Sequence, residues 1–261
     1  MEEQFPQKDT FDEALCLNKI SSIFTKLYLV LSFLIPLATY ISCFNKYVST
    51  ITFYGGIVAI LLMALKEGSY YFFLRKYWNA EKIRRMGFIE NSFGIRLFAK
   101  ESIGYYDNEK AKYGIKKMLA NLHESVYFTN QIMKAMEPKM IKRVFVIICA
   151  ILVLILGCHS RQYLVTVLGT INLFDIYIEY RSLNKLIDET DSILLHCAKL
   201  WDHWLKYENN EQLGEVIHIY NWYETTLANC RIIPDEKIYN QNKKRLSEEW
   251  EKIKDSFNRS E

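Results

Sequence analysis

The chain is poor in residues that interrupt helices. Its 261 residues hold ten glycines and four prolines, which leaves few turning points, while helix formers such as Leu, Ile, Lys, Glu and Ala fill every segment. The expected fold is all-α. Cysteine spacing is equally uninformative as a framework: none of the six (Cys16, Cys43, Cys149, Cys158, Cys197, Cys230) forms a C-x-x-C pair, and three lie in or at apolar blocks. They are read as buried thiols, and neither a disulfide scaffold nor a zinc site is supported. The five histidines include His196 and His203, seven apart on one helix face, but no third ligand or H-E-x-x-H pattern accompanies them. No metal and no cofactor is expected. Walker, G-x-G-x-x-G and G-x-S-x-G motifs are missing, so nothing points to catalysis. A basic-then-apolar leader is also missing from "MEEQFPQKDTFDEALC", and the first apolar block is expected to act as an uncleaved signal-anchor.

Apolar sequence is abundant and concentrated in four blocks: 24 to 44, 51 to 65, 144 to 157 and 163 to 178. A bilayer span takes about 20 mainly apolar residues, which the second and third blocks reach only with their flanks. "VFVIICAILVLILG" is nevertheless apolar on every face, unlike the half-exposed helix of a soluble bundle. The expected organisation is a cytosolic N-terminal segment (1–23), a transmembrane hairpin (24–66), a cytosolic helical insert (67–141), a second transmembrane hairpin (142–180) and a cytosolic helical tail (181–261).

Charge orients it. Between Lys66 and Arg143 stand 16 Lys and Arg against 8 Asp and Glu, whereas the two short connections hold one cation each, Lys46 and Arg161. By the positive-inside rule the insert is cytosolic, and four spans then put both termini and the tail on that side. Only two small turns would face outward. That argues against a receptor for external ligands and against a large transporter.

In the insert, Tyr70, Tyr71, Phe72, Phe73, Tyr77 and Trp78 beside Arg75 and Lys76 suit the headgroup layer better than a base-stacking platform, and no nucleic acid polymer is expected as a partner. A helix is predicted over 79–93, and another from Asn108 to Met136, where Ile115, Met118, Leu119, Leu122, Val126 and Ile132 recur at helical spacing. Pro138 is expected to end it. In the tail, Leu183, Ile187, Leu194, Trp201 and Trp204 belong to a seam with steps of three and four, either a contact within the chain or an assembly surface between copies. Helices over 211–229 and 235–257 follow, the latter opened by Pro234 and Asp235.

The last apolar block carries a polar stripe, Asn172, Asp175 and Glu179, on one broad face of a helix. An intramembrane carboxylate is costly and faces protein or water. If the cytosolic boundary is near Arg181, Asp175 lies about 9 Å inside it at 1.5 Å per residue. The three residues are candidates for a pore or gate, with a structural polar contact as the plainer reading.

Two helical hairpins split by a helical insert, a helical tail, and "NAEKIRRMGFIENSFG" (79–94) after the second span together resemble the four-transmembrane-helix effectors of bacterial cyclic-oligonucleotide (CBASS-like) anti-phage signalling, related to two-helix SLATT effectors. The resemblance implies an inner-membrane, pore-forming homo-oligomer that permeabilises the infected cell on a cyclic-oligonucleotide signal or on contact with a cytosolic sensor protein. It implies no catalytic residue. Lys82, Arg84, Arg85, Arg96 and Lys100 are candidates to meet an anionic nucleotide, though setting topology and contacting lipid explain them as well. The alternatives are a non-conducting membrane-anchored adaptor and a small channel or transporter subunit.

Overall fold

The computed structural model describes residues 6–40, 47–97, 108, 112–157, 173–204 and 210–258. These form six helices and, among the described residues, no strand: α1 Pro6–Tyr40, α2 Val48–Phe93, α3 Ile115–Gly157, α4 Leu173–Trp204, α5 Asn210–Cys230 and α6 Glu236–Asn258. The all-α expectation holds. Two helices are long and apolar enough to cross a membrane by length and composition, over Thr10–Leu31 and Ser49–Phe93.

Two compact units divide the chain. The first comprises Met1–Gly87, Arg96–Tyr105 and Ile148–Asn172, and the second Phe88–Ile95, Tyr106–Ile147 and Leu173–Glu261. In the first, α1 and α2 form an antiparallel pair: Glu13 meets Lys76 at 2.7 Å, Phe11 packs edge-on against Tyr77, and Ser21 Oγ donates to the Lys66 carbonyl at 3.4 Å. Near the other end the helices come so close that a Cβ on Gly55 would stand 2.6 Å from Ile35 Cδ1. Glycine lets the Ile35 side chain seat against the α2 backbone there, and a larger residue would require that side chain to shift.

The second unit holds its core in two clusters. One packs Phe88, Met118, Leu119, Leu122 and Val126 against Ile193, Cys197 and Leu200 of α4 and Val216, Ile219 and Tyr223 of α5. The other gathers Ile132, Met133 and Met140 of α3 with Leu183, Leu186 and Ile187, Cys230, and Leu246 of α6. Steps of three and four along α3 and α4 turn these residues to one side, which is how the amphipathic pattern becomes a buried seam.

Three expectations need correction. The predicted helix over 79–93 is no separate element but the end of α2, which runs without proline through Gly55, Gly56, Gly68 and Gly87 and stops at Gly94, where φ reaches +65° and the Gly94 amide donates to the Glu90 carbonyl at 2.8 Å. The next helix starts at Ile115 instead of Asn108. Gly114, at φ +131°, sits outside helical space, and its carbonyl accepts the first helical bond from Met118. Pro138 does not end α3, which runs on to Gly157. The lost hydrogen bond is tolerated there because its neighbours are held: Met140 is buried, Met136 Sδ accepts the Asp235 amide at 3.4 Å, and Lys139 pairs with the Asp235 carboxylate.

The cysteines also divide. Cys197 and Cys230 are buried, but Cys149 is half-buried and Cys16 exposed, so the reading of all six as buried thiols is too broad. Cys43 and Cys158 lie outside the described residues.

Candidate functional site

Of the polar stripe, Glu179 is the member whose side chain is placed. Arg143 Nη1 donates to it at 2.9 Å, so the carboxylate joins α4 to the residue at which the apolar run of α3 begins. Both side chains are about half exposed (52% for Arg143, 43% for Glu179), which makes this a weak tie energetically. Asp175 belongs to the first turn of α4, its side chain outside the described residues, as is Asn172 altogether.

The nucleotide-facing candidates scatter. Arg84 forks onto Glu81 with Nε at 3.2 Å and Nη2 at 2.9 Å, and Arg85 Nε lies 4.0 Å from the same carboxylate. That arrangement offsets part of the positive charge two of them could offer an anion. Lys82 is exposed on the next face, Arg96 is exposed beyond the α2 cap, and Lys100 lies outside the described residues. The aromatic belt divides as well: Tyr71, Phe72 and Trp78 are exposed, while Phe73 is buried between the helices against Tyr77.

The tail seam is occupied within the chain. Leu183 and Ile187 belong to the α3–α6 cluster, and Leu194 and Trp201 pack on the cluster around Phe88. The side chain of Trp204 lies outside the described residues. The intramolecular alternative therefore accounts for the seam residues that can be followed.

Hydrophobic periodicity gave no sign of a polar lattice threading the same interfaces. Asn121, fully buried, donates to Asn91 Oδ1 at 2.9 Å and Ser92 Oγ at 3.2 Å, and accepts from Asn108, which also donates to Glu124 at 2.7 Å. About two and a half turns on, buried Asn130 donates to Thr190 Oγ1 and Asp191 Oδ1, both at 2.9 Å, and Lys134 reaches the same aspartate at 2.7 Å. Trp222 donates to Glu189 at 2.7 Å, Thr129 pairs with Tyr223, and Tyr127 donates to Glu249 at 2.8 Å beside Arg245. The signal for it was present as asparagines inside an otherwise apolar seam, nine positions apart in α3.

Within that lattice the Trp201 indole donates to His123 Nδ1 at 3.2 Å. Burial lowers the His123 pKa to about 4, which keeps the ring neutral and able to accept. Burial likewise pushes the Cys197 thiol up to about 12, making it inert. Burial, then the bond to Glu249, raises Tyr127 to about 12, while the bonds from Tyr127 and Arg245 hold Glu249 below the usual carboxylate range.

This chemistry positions helices. It sets no nucleophile against a base, and among the described residues no group of three His, Cys, Asp or Glu side chains is placed to hold a metal ion. His196 Nδ1 lies 2.9 Å from the Ser192 carbonyl and its ring stands against Trp222. Comparison of the chain with protein-family models, with curated proteins and with solved structures finds no match.

Proposed function

We propose that the chain is a bacterial inner-membrane effector of anti-phage defence. On a nucleotide signal or contact with a cytosolic sensor protein, copies oligomerise or rearrange and permeabilise the bilayer. The spans are the two hairpins, with 67–141 and 181–261 cytosolic, and the second unit receives the signal.

One observation carries the membrane part: α2 holds an apolar window, within Ser49–Phe93, of which none is buried. Leaving that much apolar surface in water is unfavourable by about 25 cal/mol per Å², and lipid removes the cost. The immune part rests on the layout and on the 79–94 segment. The adaptor alternative drew on the tail seam, whose Leu183, Ile187, Leu194 and Trp201 are already engaged inside the second unit.

The test is a potential-sensitive dye in cells expressing the protein, with and without co-expressed cyclic-oligonucleotide synthases. Depolarisation within minutes of signal onset is expected. A potential that stays intact while the protein sits in the membrane fraction and the signal is present would remove the effector reading.

A further inference from the structure

The outer faces of the first hairpin carry a pattern left open among the described residues. Along α1 the exposed residues Ile20, Ile23, Leu27, Val30 and Leu34 follow one another at steps of three and four, which lines them on a single stripe. Two steps of four back from Ile20, exposed Cys16 and Asp12 continue the same line, and Lys19 borders it. The side of α1 that meets α2 is a different one, marked by Phe11 and by buried Ala14 and Ser21. Along α2 a second line holds Phe53, Ile57 and Ile60, then Glu67, Tyr71 and Trp78, with Arg75 between the last two. All are exposed, Ile60 by 71% and Tyr71 by 62%. The inward side of α2 is that of Phe73 and Ala80.

Both lines mix apolar residues with charge, and lipid suits only the apolar part. Contacts within the hairpin fix which residues share a depth: Ser21 is level with Lys66, and Glu13 with Lys76. At 1.5 Å per residue from these points, Cys16 is level with Tyr71, Lys19 lies within about 2 Å of the Glu67 level, and Asp12 within about 3 Å of the Arg75 level. Asp12 and Arg75 are exposed, and no ion pair among the described residues takes up either. Copies inserted in one bilayer with one orientation are related by rotation about its normal, so residues of equal depth meet. Two α1 stripes face to face would set Asp12 against Asp12 and Lys19 against Lys19. Two α2 lines would set Glu67 against Glu67 and Arg75 against Arg75. Placing α1 against α2 of the next copy instead brings opposite charges together twice.

We propose that neighbouring copies join head to tail through the first hairpin, the α1 stripe of one seated on the α2 line of the next. The two helices then run antiparallel, as α1 and α2 do within a chain, and steps of three and four let side chains of one enter the gaps of the other. The pairing of Asp12 with Arg75, and of Lys19 with Glu67, fixes the register of the contact. Because the two surfaces differ, each added copy leaves one of each open, and the series ends when the rotation closes a ring. A closed ring of hairpins is what a permeabilising assembly requires. The inference rests on the membrane reading above and deepens it: both surfaces are open before any signal, so assembly precedes the signal, which then acts by rearranging the ring.

The test uses Cys16, which stands on the stripe, in the full chain carrying Tyr71→Cys at the matching level of α2. Mild oxidation of membranes from expressing cells, without a co-expressed synthase, should yield a ladder of disulfide-linked dimers, trimers and higher species. Adding Cys16→Ser to the same chain should abolish it. Asp12→Arg or Arg75→Asp alone should weaken the ladder at least about threefold, and the two together should restore it. Should the Tyr71→Cys chain not accumulate, lysine-reactive cross-linking of chains that keep Tyr71 reads the same charge reversals. A dimer that ends the series and persists without Tyr71→Cys means that α1 meets α1, and overturns the proposal. So does a ladder absent at every oxidant concentration, or one that the charge reversals leave unmoved. The effector reading is judged separately: a ladder with no depolarisation on signal keeps the interface and removes that reading, whereas depolarisation without a ladder does the reverse. If the chain is absent from the membrane fraction, both fall.

Discussion

At the scale of single residues, the asparagines of α3 decide more than their number suggests. Asn130 is fully buried and its amide serves Thr190 and Asp191 at once, so Asn130→Ala leaves buried acceptors unmet. The expected cost is about 1–3 kcal/mol, read as a lower denaturant midpoint of tryptophan fluorescence in detergent. Four of the five tryptophans lie between 201 and 250, so that signal reports chiefly on the second unit. His123 makes a different prediction. Its folded pKa, about 4, lies below the ordinary 6.5, so the unfolded chain takes up the proton first. The contribution of the neutral ring is complete above pH 6.5 and is lost as pH falls toward 4, by up to about 3 kcal/mol. His123→Gln keeps an acceptor for the Trp201 indole and should flatten that share of the pH dependence. Equal slopes for the two proteins between pH 7 and pH 5 would count against it. Neither role could be read from the sequence, because the partners stand 60 and 78 positions away and hydrogen bonds have no periodicity.

At the scale of elements, helix ends carry the information. Gly94 closes α2 in a left-handed conformation with the Tyr113 ring 3.0 Å from where a Cβ would stand. Gly94→Ala should therefore lower stability by about 1–2 kcal/mol through backbone strain and ring displacement. Arg231 ends α5 at φ 52° with its amide bonded to the Leu227 carbonyl, a position where glycine fits without strain. Arg231→Gly should be neutral or gain about half a kcal/mol, and a thermal melt comparing the two variants tests the pair. Asp235 opens α6 by accepting from the amides of Lys237 and Ile238. The bond from Lys139, with these amides, depresses its pKa, so its support is present above the unfolded carboxylate range and fades as acid protonates it. That cap was legible in advance from Pro234 and Asp235, as were the buried faces of α3 and α4, because caps and amphipathic seams are local patterns. The continuity of α2 and the passage of α3 through Pro138 were not legible. Local propensity there is overruled by contacts with residues far along the chain.

At the scale of the molecule, the two units should be separable. Deleting 210–261 removes Val216, Ile219, Tyr223, Cys230 and Leu246 from both clusters of the second unit but nothing from the α1–α2 pair. The truncated chain should still enter the membrane fraction, while trypsin cuts α3 and α4 at least about tenfold faster, as expected when a cooperative unit loses its core. Resistance equal to the full chain would mean that the insert folds without the tail, as the linear division into insert and tail suggested. Pro138 bears on the same question through exchange chemistry. With no amide hydrogen to give, it leaves the Lys134 carbonyl without its rung in the helical ladder. Protection against deuterium therefore should not run evenly along α3: the amides from Met118 to Met133, locked under two clusters, form one slow-exchanging block, and those beyond the proline form a second with its own opening rate.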